Sequence, residues 1–289
     1  MIATLRIGLK KFSEYVKRLI LGDVVYHYQH FSIRLPRGHQ LPKFQKNHAK
    51  YDRFLPHLVR YLSGSSIVVD VGANCGDTLA GMVDQNPHLQ YLCIEPDSTF
   101  FTYLEANIVR MTSVQPNLQI TVQMCLVGES VTNVALDGTG GTKHAVPGAG
   151  TLQAKGLDQI LESCFIDDVS LLKVDVDGFD YDVLDSGRKT LSSCHPLLFF
   201  ECQYFEEFQK SGFEKTLIWL SINGYDHWVI FDNFGEVLIK TNELQYVLQL
   251  INYVWSQNAV GATRTIFYFD ILACSRKDLR TVEAAVNSY

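Results

Sequence analysis

An α/β fold, with seven strands in one mostly parallel and doubly wound sheet, is predicted by three observations. Short apolar runs rich in β-branched and aromatic residues recur between residues 66 and 203, and stretches of helical spacing separate them. That alternation is the pattern of βαβ units, whose crossover helices cover both faces of a parallel sheet. Two further runs lie near the end of the chain with only a helical stretch between them, so they can pair as neighbours, one antiparallel to the rest. A hydrophobic content of 47%, with 12% aromatic, is enough for a substantial core in a chain of 289 residues.

Taken in order, residues 1–22 place Leu5, Leu9, Phe12, Val16 and Leu19 on one helical stripe. Five basic side chains stand against Glu14 there, a net +4. Such a stripe suits peripheral contact with an anionic membrane surface, and equally suits docking on its own domain or on the mate of a homodimer. Residues 1–50 are expected to form a helical N-terminal extension and residues 51–289 the main domain. The expected strands are SIVVDV (66–71), QYLCIE (90–95), LQITVQMCLV (118–127), VSLLKVDV (169–176), PLLFFECQ (196–203), YDHWVIFDNFG (225–235) and RTIFYFDILACS (264–275). Helical spacing covers 78–85, 98–111, 157–163, 179–191 and 243–257. The segment GTGGTKHAVPGAG (138–150) reads as a loop, of a length that is often functional inside a compact domain.

The first strand runs into DVGANCGDT at 70–78. Gly72 supplies the positive φ that a tight turn needs, Asn74 tolerates the left-handed region, and Gly76 permits close approach of a ligand. Asp77 or Thr78 is placed to cap the helix that follows. The spacing is not G-x-G-x-x-G, so the dinucleotide fingerprint is not met. Glu95 ends the second strand, where a carboxylate can accept hydrogen bonds from both hydroxyls of a ribose; the alternative is an acid that caps the next helix at Pro96–Asp97. Asp70, Gly72, Ala73, Asn74, Gly76, Asp77 and Thr78, with Glu95, Pro96 and Asp97, are thus the expected cofactor-binding residues. The terminal strand pair and the missing dinucleotide spacing favour S-adenosylmethionine over a nicotinamide cofactor.

The stretch LLKVDVDGFD at 171–180 crowds Asp175, Asp177 and Asp180 behind a strand, at the sheet edge where ligands bind in open α/β folds. Asp175 ends the fourth strand and Glu201 the fifth, so both can face one crevice, edged by aromatics such as Tyr181 and Tyr204. The pair, with Gln203 or Asp177, can hold magnesium or manganese through oxygen ligands. Alternatively Asp175 alone takes a proton, with Lys173 modulating its charge. Asp177 and Asp180 are expected to turn toward the following helix, where acids favour the positive end of the dipole. His144, in the glycine-rich loop, is a rival base, whereas His195 before Pro196 reads as a residue satisfying a turn.

A net charge of −6 argues against a general nucleic-acid binder. Seven cysteines without a CxxC pair read as small buried hydrophobes in a reducing compartment. With no stretch of about eighteen apolar residues and no signal-peptide pattern, the expected location is the cytoplasm.

The ordered set DVGANCGDT, GLDQIL (156–161), LLKVDVDGFDYDVLDSG (171–187) and PLLFFE (196–201) resembles the FkbM family of S-adenosylmethionine-dependent methyltransferases. With YDRFLP (51–56), DNFG (232–235) and YFDI (268–271) the likeness extends over roughly residues 50–275, toward the branch found in bacterial surface-polysaccharide gene clusters. The resemblance implies a Rossmann-like class I methyltransferase sheet and O-methyl transfer to a hydroxyl of a sugar, a glycan or another small molecule. The family more often has Glu where Asp177 stands and Thr where Gly156 stands; Asp177 keeps the charge on a shorter side chain. The competing readings are a nicotinamide-dependent sugar oxidoreductase and a catalytically silent binding subunit on a similar sheet.

Overall fold

The computed structural model describes residues 22–129, 135–137, 144–146, 153–259 and 266–289. The chain opens with an antiparallel hairpin, β1 (Val24–His27) and β2 (Ser32–Leu35), then α1 (Leu41–Asn47) and α2 (Phe54–Leu58). The described part of the expected helical extension is therefore half hairpin. The reason is tertiary: Ile33 and Leu35 alternate inward into the core, and Asn107 brackets the backbone of Arg34, accepting its N–H at 2.8 Å and donating to its carbonyl at 2.9 Å. The stripe from Leu5 to Leu19 and its basic residues lie outside the described residues.

Next come β3 (Ile67–Val71), α3 (Asp77–Gln85), β4 (Gln90–Ile94), α4 (Ser98–Val114) and β5 (Gln119–Gln123). All three strands are parallel. The run expected as one strand at 118–127 breaks after Gln123, and its second half, β6 (Leu126–Val127), leaves the sheet. Short pieces β7 (Ala135–Asp137), β8 (His144–Val146) and β9 (Ala154–Lys155) follow; β6 pairs with β9, and β7 with β8.

The second half runs α5 (Leu157–Ser163), β10 (Leu171–Val174), α6 (Asp180–Asp185), α7 (Arg188–Cys194), β11 (Leu197–Cys202), α8 (Glu207–Ile222), β12 (His227–Asp232), β13 (Val237–Thr241), α9 (Leu244–Ala259), β14 (Phe269–Cys274) and α10 (Leu279–Asn287). The helix expected over 179–191 is two, broken at Ser186–Gly187. A Cβ on Gly187 would stand 2.8 Å from the Leu157 side chain, so a larger residue there would have to displace that leucine of α5.

The main sheet has eight strands in the order β13-β12-β14-β11-β10-β3-β4-β5. All seven expected strands are in it. The eighth, β13, corrects the expected count: it turns back from β12 through Asp232–Glu236 and forms an edge whose residues alternate between partly buried and exposed. Its sequence, VLIKT, has only three apolar residues, Val237, Leu238 and Ile239, before Lys240 and Thr241, too short a run to stand out as a strand. The sheet is mixed: β14 lies antiparallel between β11 and β12, and β13 antiparallel to β12.

Side chains alternate between two cores. Val69, Leu172 and Leu198 pack on α5–α9, while Val68, Leu171 and Leu197 face α2, α3, α4 and α10 together with Ile33 and Leu35 of the hairpin. From β3 the chain winds outward to β4 and β5, then returns to the other side of β3 as β10 and β11. That reversal opens a crevice outside the carboxyl ends of β3 and β10. All seven cysteines are free and four are buried, consistent with a role as packing groups. No described helix is long and apolar enough to cross a membrane.

Candidate functional site

The turn after β3 has three left-handed residues, Gly72 at φ 78°, Asn74 at 50° and Gly76 at 80°. Its amides are bound internally. Gly72 and Ala73 both donate to the Ile94 carbonyl, at 2.9 and 3.0 Å, and Gly76 donates to the Ala73 carbonyl at 2.8 Å. A Cβ at Gly72 would lie 1.9 Å from the carbonyl oxygen of Asp175, so only glycine lets the exits of β3 and β10 meet. Pro96 sits between two acids with separate duties. Glu95 accepts the Asn74 N–H at 2.9 Å and the Asp97 N–H at 2.8 Å, tying the glycine turn to the exit of β4. Asp97 caps α4, accepting from Thr99 and Phe100 at 3.0 and 3.1 Å. Glu95 retains two lone-pair sites after these bonds. Burial pushes its carboxyl up to about 7, against the opposing pull of the two amides.

Asp77 and Thr78 do not cap α3. Gly76 occupies the cap position, where it has no side chain to offer, and Asp77 is already helical. The Asp77 carboxylate instead lies 3.8 Å from His39 Nε2 and 3.7 Å from the Cys75 thiol, and Thr78 faces the crevice.

Beneath the turn lies a buried ion pair. Lys173 and Asp70 are register partners on adjacent strands, 4% and 0% exposed, with Nζ 3.0 Å from Oδ1. Burial pushes the Asp70 carboxyl up and Lys173 pulls it down; Asp70 in turn raises the lysine. Lys173 also donates to the Gly72 carbonyl at 2.8 Å and approaches Asp175 Oδ2 at 3.5 Å. Asp70 therefore supports the glycine turn from behind, through Lys173.

In front of the turn is a cavity of about 600 Å³. Asp175, Asp177, Glu201 and Gln203 line it from the exits of β10 and β11, and Thr78 reaches it from α3. Asp175 is half exposed there. Asp180 lies behind this edge, fully buried, and accepts the Val176 N–H at 3.4 Å and the Glu201 N–H at 3.2 Å, which binds the two strand exits together. Asp180 starts its helix as expected, whereas Asp177 does not turn away: its backbone is left-handed at φ 54° and its side chain faces the cavity. Burial, reinforced by Asp175, pushes the Asp177 carboxyl up to about 7. Burial and the neighbouring Asp175, Asp177 and Asp180 raise the Glu201 carboxyl well above the usual range, and its Oε2 has no partner among the described residues.

The opposite wall was not foreseen. Phe44, Tyr51 and Asp52 come from the segment before the sheet, Asn233 and Phe234 from the β12–β13 turn, and Tyr268 and Asp270 from the entry to β14. YDRFLP, DNFG and YFDI each carried a signal as motifs, but nothing in their local pattern brings them together. Tyr204 and Tyr181 do not edge the cavity. Tyr204 is buried with its hydroxyl on the Ile251 carbonyl at 2.7 Å, and Tyr181 packs on Gly212 and Phe213. His195 is the left-handed cap of α7 and bonds the Asn223 carbonyl at 2.9 Å, satisfying a turn as expected. The side chain of His144 lies outside the described residues.

Among the described residues, His39, Cys75 and Asp77 bring three metal-type ligand atoms within 4.8 Å of one another; the cavity carboxylates do not form such a group.

Residues 70–227 match the model of the methyltransferase FkbM domain. No curated protein matches the chain. Among solved structures, a methyltransferase FkbM from Methylobacillus flagellatus is 20% identical over 73% of this chain and 44% of its own length, with a TM-score of 0.46. The chain thus spans less than half of that protein. An O-methyltransferase from Bacillus cereus, solved in complex with SAH, is 10% identical over 91% of this chain and 96% of its own, with a TM-score of 0.47. An rRNA methylase from Streptococcus thermophilus is 9% identical over 76% of this chain and 93% of its own, with a TM-score of 0.42.

Proposed function

The chain belongs to the methyltransferase FkbM family, and from that membership we propose that it transfers a methyl group from S-adenosylmethionine to a sugar hydroxyl of a bacterial surface glycan or its precursor. The observation that carries the reading is the placement of Asp175 and Glu201 on one cavity that reaches Thr78 beside the glycine turn.

The residues present fit the donor. Glu95 keeps free lone pairs for the ribose hydroxyls at the exit of β4. When bound, S-adenosylmethionine supplies an electrophilic methyl on a sulfonium. The chain's own residues then have two tasks, alignment and deprotonation. Asp175, at the strand exit and open to the cavity, accepts the proton of the acceptor hydroxyl. Lys173, 3.5 Å away, steadies the negative end of that hydrogen bond. Glu201, its carboxyl raised by burial and the neighbouring acids, shares the cavity with Asp175 and helps hold the ring. Phe44, Phe234 and Tyr268 offer apolar faces to the C–H surface of the ring. A divalent cation is not needed for this scheme.

The test is incubation of the full chain with labelled S-adenosylmethionine and separate pools of methyl glycosides, oligosaccharides, nucleotide sugars and small phenols. Label in the sugar pools, released by glycosidic cleavage as an O-methyl sugar, is the expected result. Label in phenols alone replaces the glycan acceptor with a small aromatic one.

A further inference from the structure

The cavity wall opposite the strand exits holds a hydrogen-bond donor that the protein does not use. Asn233 is 5% exposed and lines the cavity. Its Oδ1 accepts the Phe267 N–H at 3.1 Å, which fixes the amide orientation. Its Nδ2 makes no hydrogen bond to the described residues. With its oxygen anchored and its nitrogen making no hydrogen bond to the described residues, this amide on the cavity wall is placed to donate to a ligand oxygen.

The backbone around Asn233 is held rigidly. Asp232 Oδ1 accepts the N–H groups of Phe234 and Glu236, both at 2.9 Å. Gly235 has φ 85°, and a Cβ there would meet the Lys50 carbonyl at 2.4 Å. His48 stacks on Phe234 at 3.7 Å, Lys50 pairs with Glu236 at 3.0 Å, and the Tyr289 hydroxyl donates to the Lys50 carbonyl at 2.8 Å. These contacts clamp residues 48–52 against the β12–β13 turn, so Asp52 and Asn233 share one wall.

The charge balance of the cavity limits what fits. Asp52, Asp175, Asp177, Glu201 and Asp270 line it, and its lysines are engaged elsewhere, Lys173 with Asp70 at 3.0 Å and Lys50 with Glu236 at 3.0 Å. An anionic group inside would meet no free cation among these lining residues and would add negative charge to a cluster whose acids already resist ionisation.

Resting on the glycan reading above, we propose that Asn233 is an acceptor-binding residue whose Nδ2–H donates to a non-reacting oxygen of an uncharged sugar ring. The wall of Tyr51, Asp52 and the β12–β13 turn sets which ring is accepted. Any phosphate or carboxylate of the acceptor stays outside the cavity.

The experiment uses the full chain, labelled S-adenosylmethionine, and the methyl glycosides of glucose, galactose and mannose as neutral probes, with methyl glucuronide as the anionic one. Asn233→Asp keeps the volume and the Phe267 contact but puts a lone pair where the N–H was. It is expected to raise KM for the best neutral glycoside about tenfold, the factor for one lost hydrogen bond of good geometry, while kcat and the donor dissociation constant stay within about threefold. Tyr289→Phe, which releases the Lys50 carbonyl without touching the cavity, is expected to raise the same KM with the same kcat. An unchanged KM in Asn233→Asp, or a fall in kcat at constant KM, overturns the assignment of Asn233 while the glycan reading stands. Methylation of the glucuronide as fast as the neutral probes overturns the uncharged-ring requirement. If calorimetry shows donor binding yet none of the four glycosides is methylated, the glycan reading fails and this inference with it.

Discussion

Replacing Lys173 with methionine tests the internal support of the site. The ammonium is buried 3.0 Å from Asp70 and donates to the Gly72 carbonyl at 2.8 Å. Removing one partner of a buried pair costs about 3–5 kcal/mol, because the other charge is left uncompensated. The bond to Gly72 adds about 1 kcal/mol, whereas the contact with half-exposed Asp175 contributes at most about that much after solvent screening. The expected loss is about 4–6 kcal/mol, a large part of the roughly 5–15 kcal/mol that holds a domain together. Its pH dependence identifies the cause. Asp70 has a folded pKa raised above its unfolded value, so protonation favours the folded chain, and this contribution is present at low pH and lost as pH rises. Without the lysine the shift grows, and the deficit of the variant should widen with pH by up to about 1.4 kcal/mol per unit above the unfolded carboxylate range. Urea unfolding followed by tryptophan fluorescence between about pH 5 and pH 8 measures both quantities. Adding Asp70→Asn should recover at least half of the loss. A deficit under about 1 kcal/mol that does not vary with pH would refute the reasoning.

Further outcomes concern Glu95 and Asp175. Glu95→Ala should weaken S-adenosylmethionine binding by about 1–3 kcal/mol. In the native protein affinity should fall as pH drops below about 7, where Glu95 takes up its proton, while the free fold gains stability over the same range; pH-independent calorimetric affinity would move the ribose site elsewhere. Asp175→Asn should abolish or severely slow methyl transfer at unchanged donor affinity, and a chelator should leave the native rate alone. Full activity in the variant would pass the role of base to His144, and activity lost to a chelator but restored by magnesium or manganese would show that Asp175 and Glu201 act through a metal.

Where apolar runs were strong and separated by helical spacing, local reading sufficed: all seven expected strands are in the sheet, and the last two pair as neighbours with one reversed. The glycine turn was equally legible, since Gly72 and Gly76 hold conformations that few other residues tolerate. Local reading failed where the deciding contact was distant. Leu126 and Val127 continue an apolar run, yet pair with Ala154 and Lys155. The expected helix over 179–191 is cut where Gly187 meets Leu157. VLIKT forms an edge strand because the turn at Asp232–Glu236 returns it to β12.

The sequence by itself determined the order of seven strands of the main sheet, the left-handed turn after β3 and the acids at the exits of β10 and β11, because each follows from side-chain periodicity or backbone sterics within a few residues. Only the tertiary structure decided that Lys173 faces Asp70, that Asp177 lines the cavity while Tyr204 does not, and that Asp52, Asn233 and Tyr268 share a wall. Those facts depend on which strands are neighbours and in what register, and on contacts such as Tyr289 to Lys50 that join residues 239 positions apart. The free energy of such contacts comes from burying surfaces against each other, and that term has no local signature in the chain.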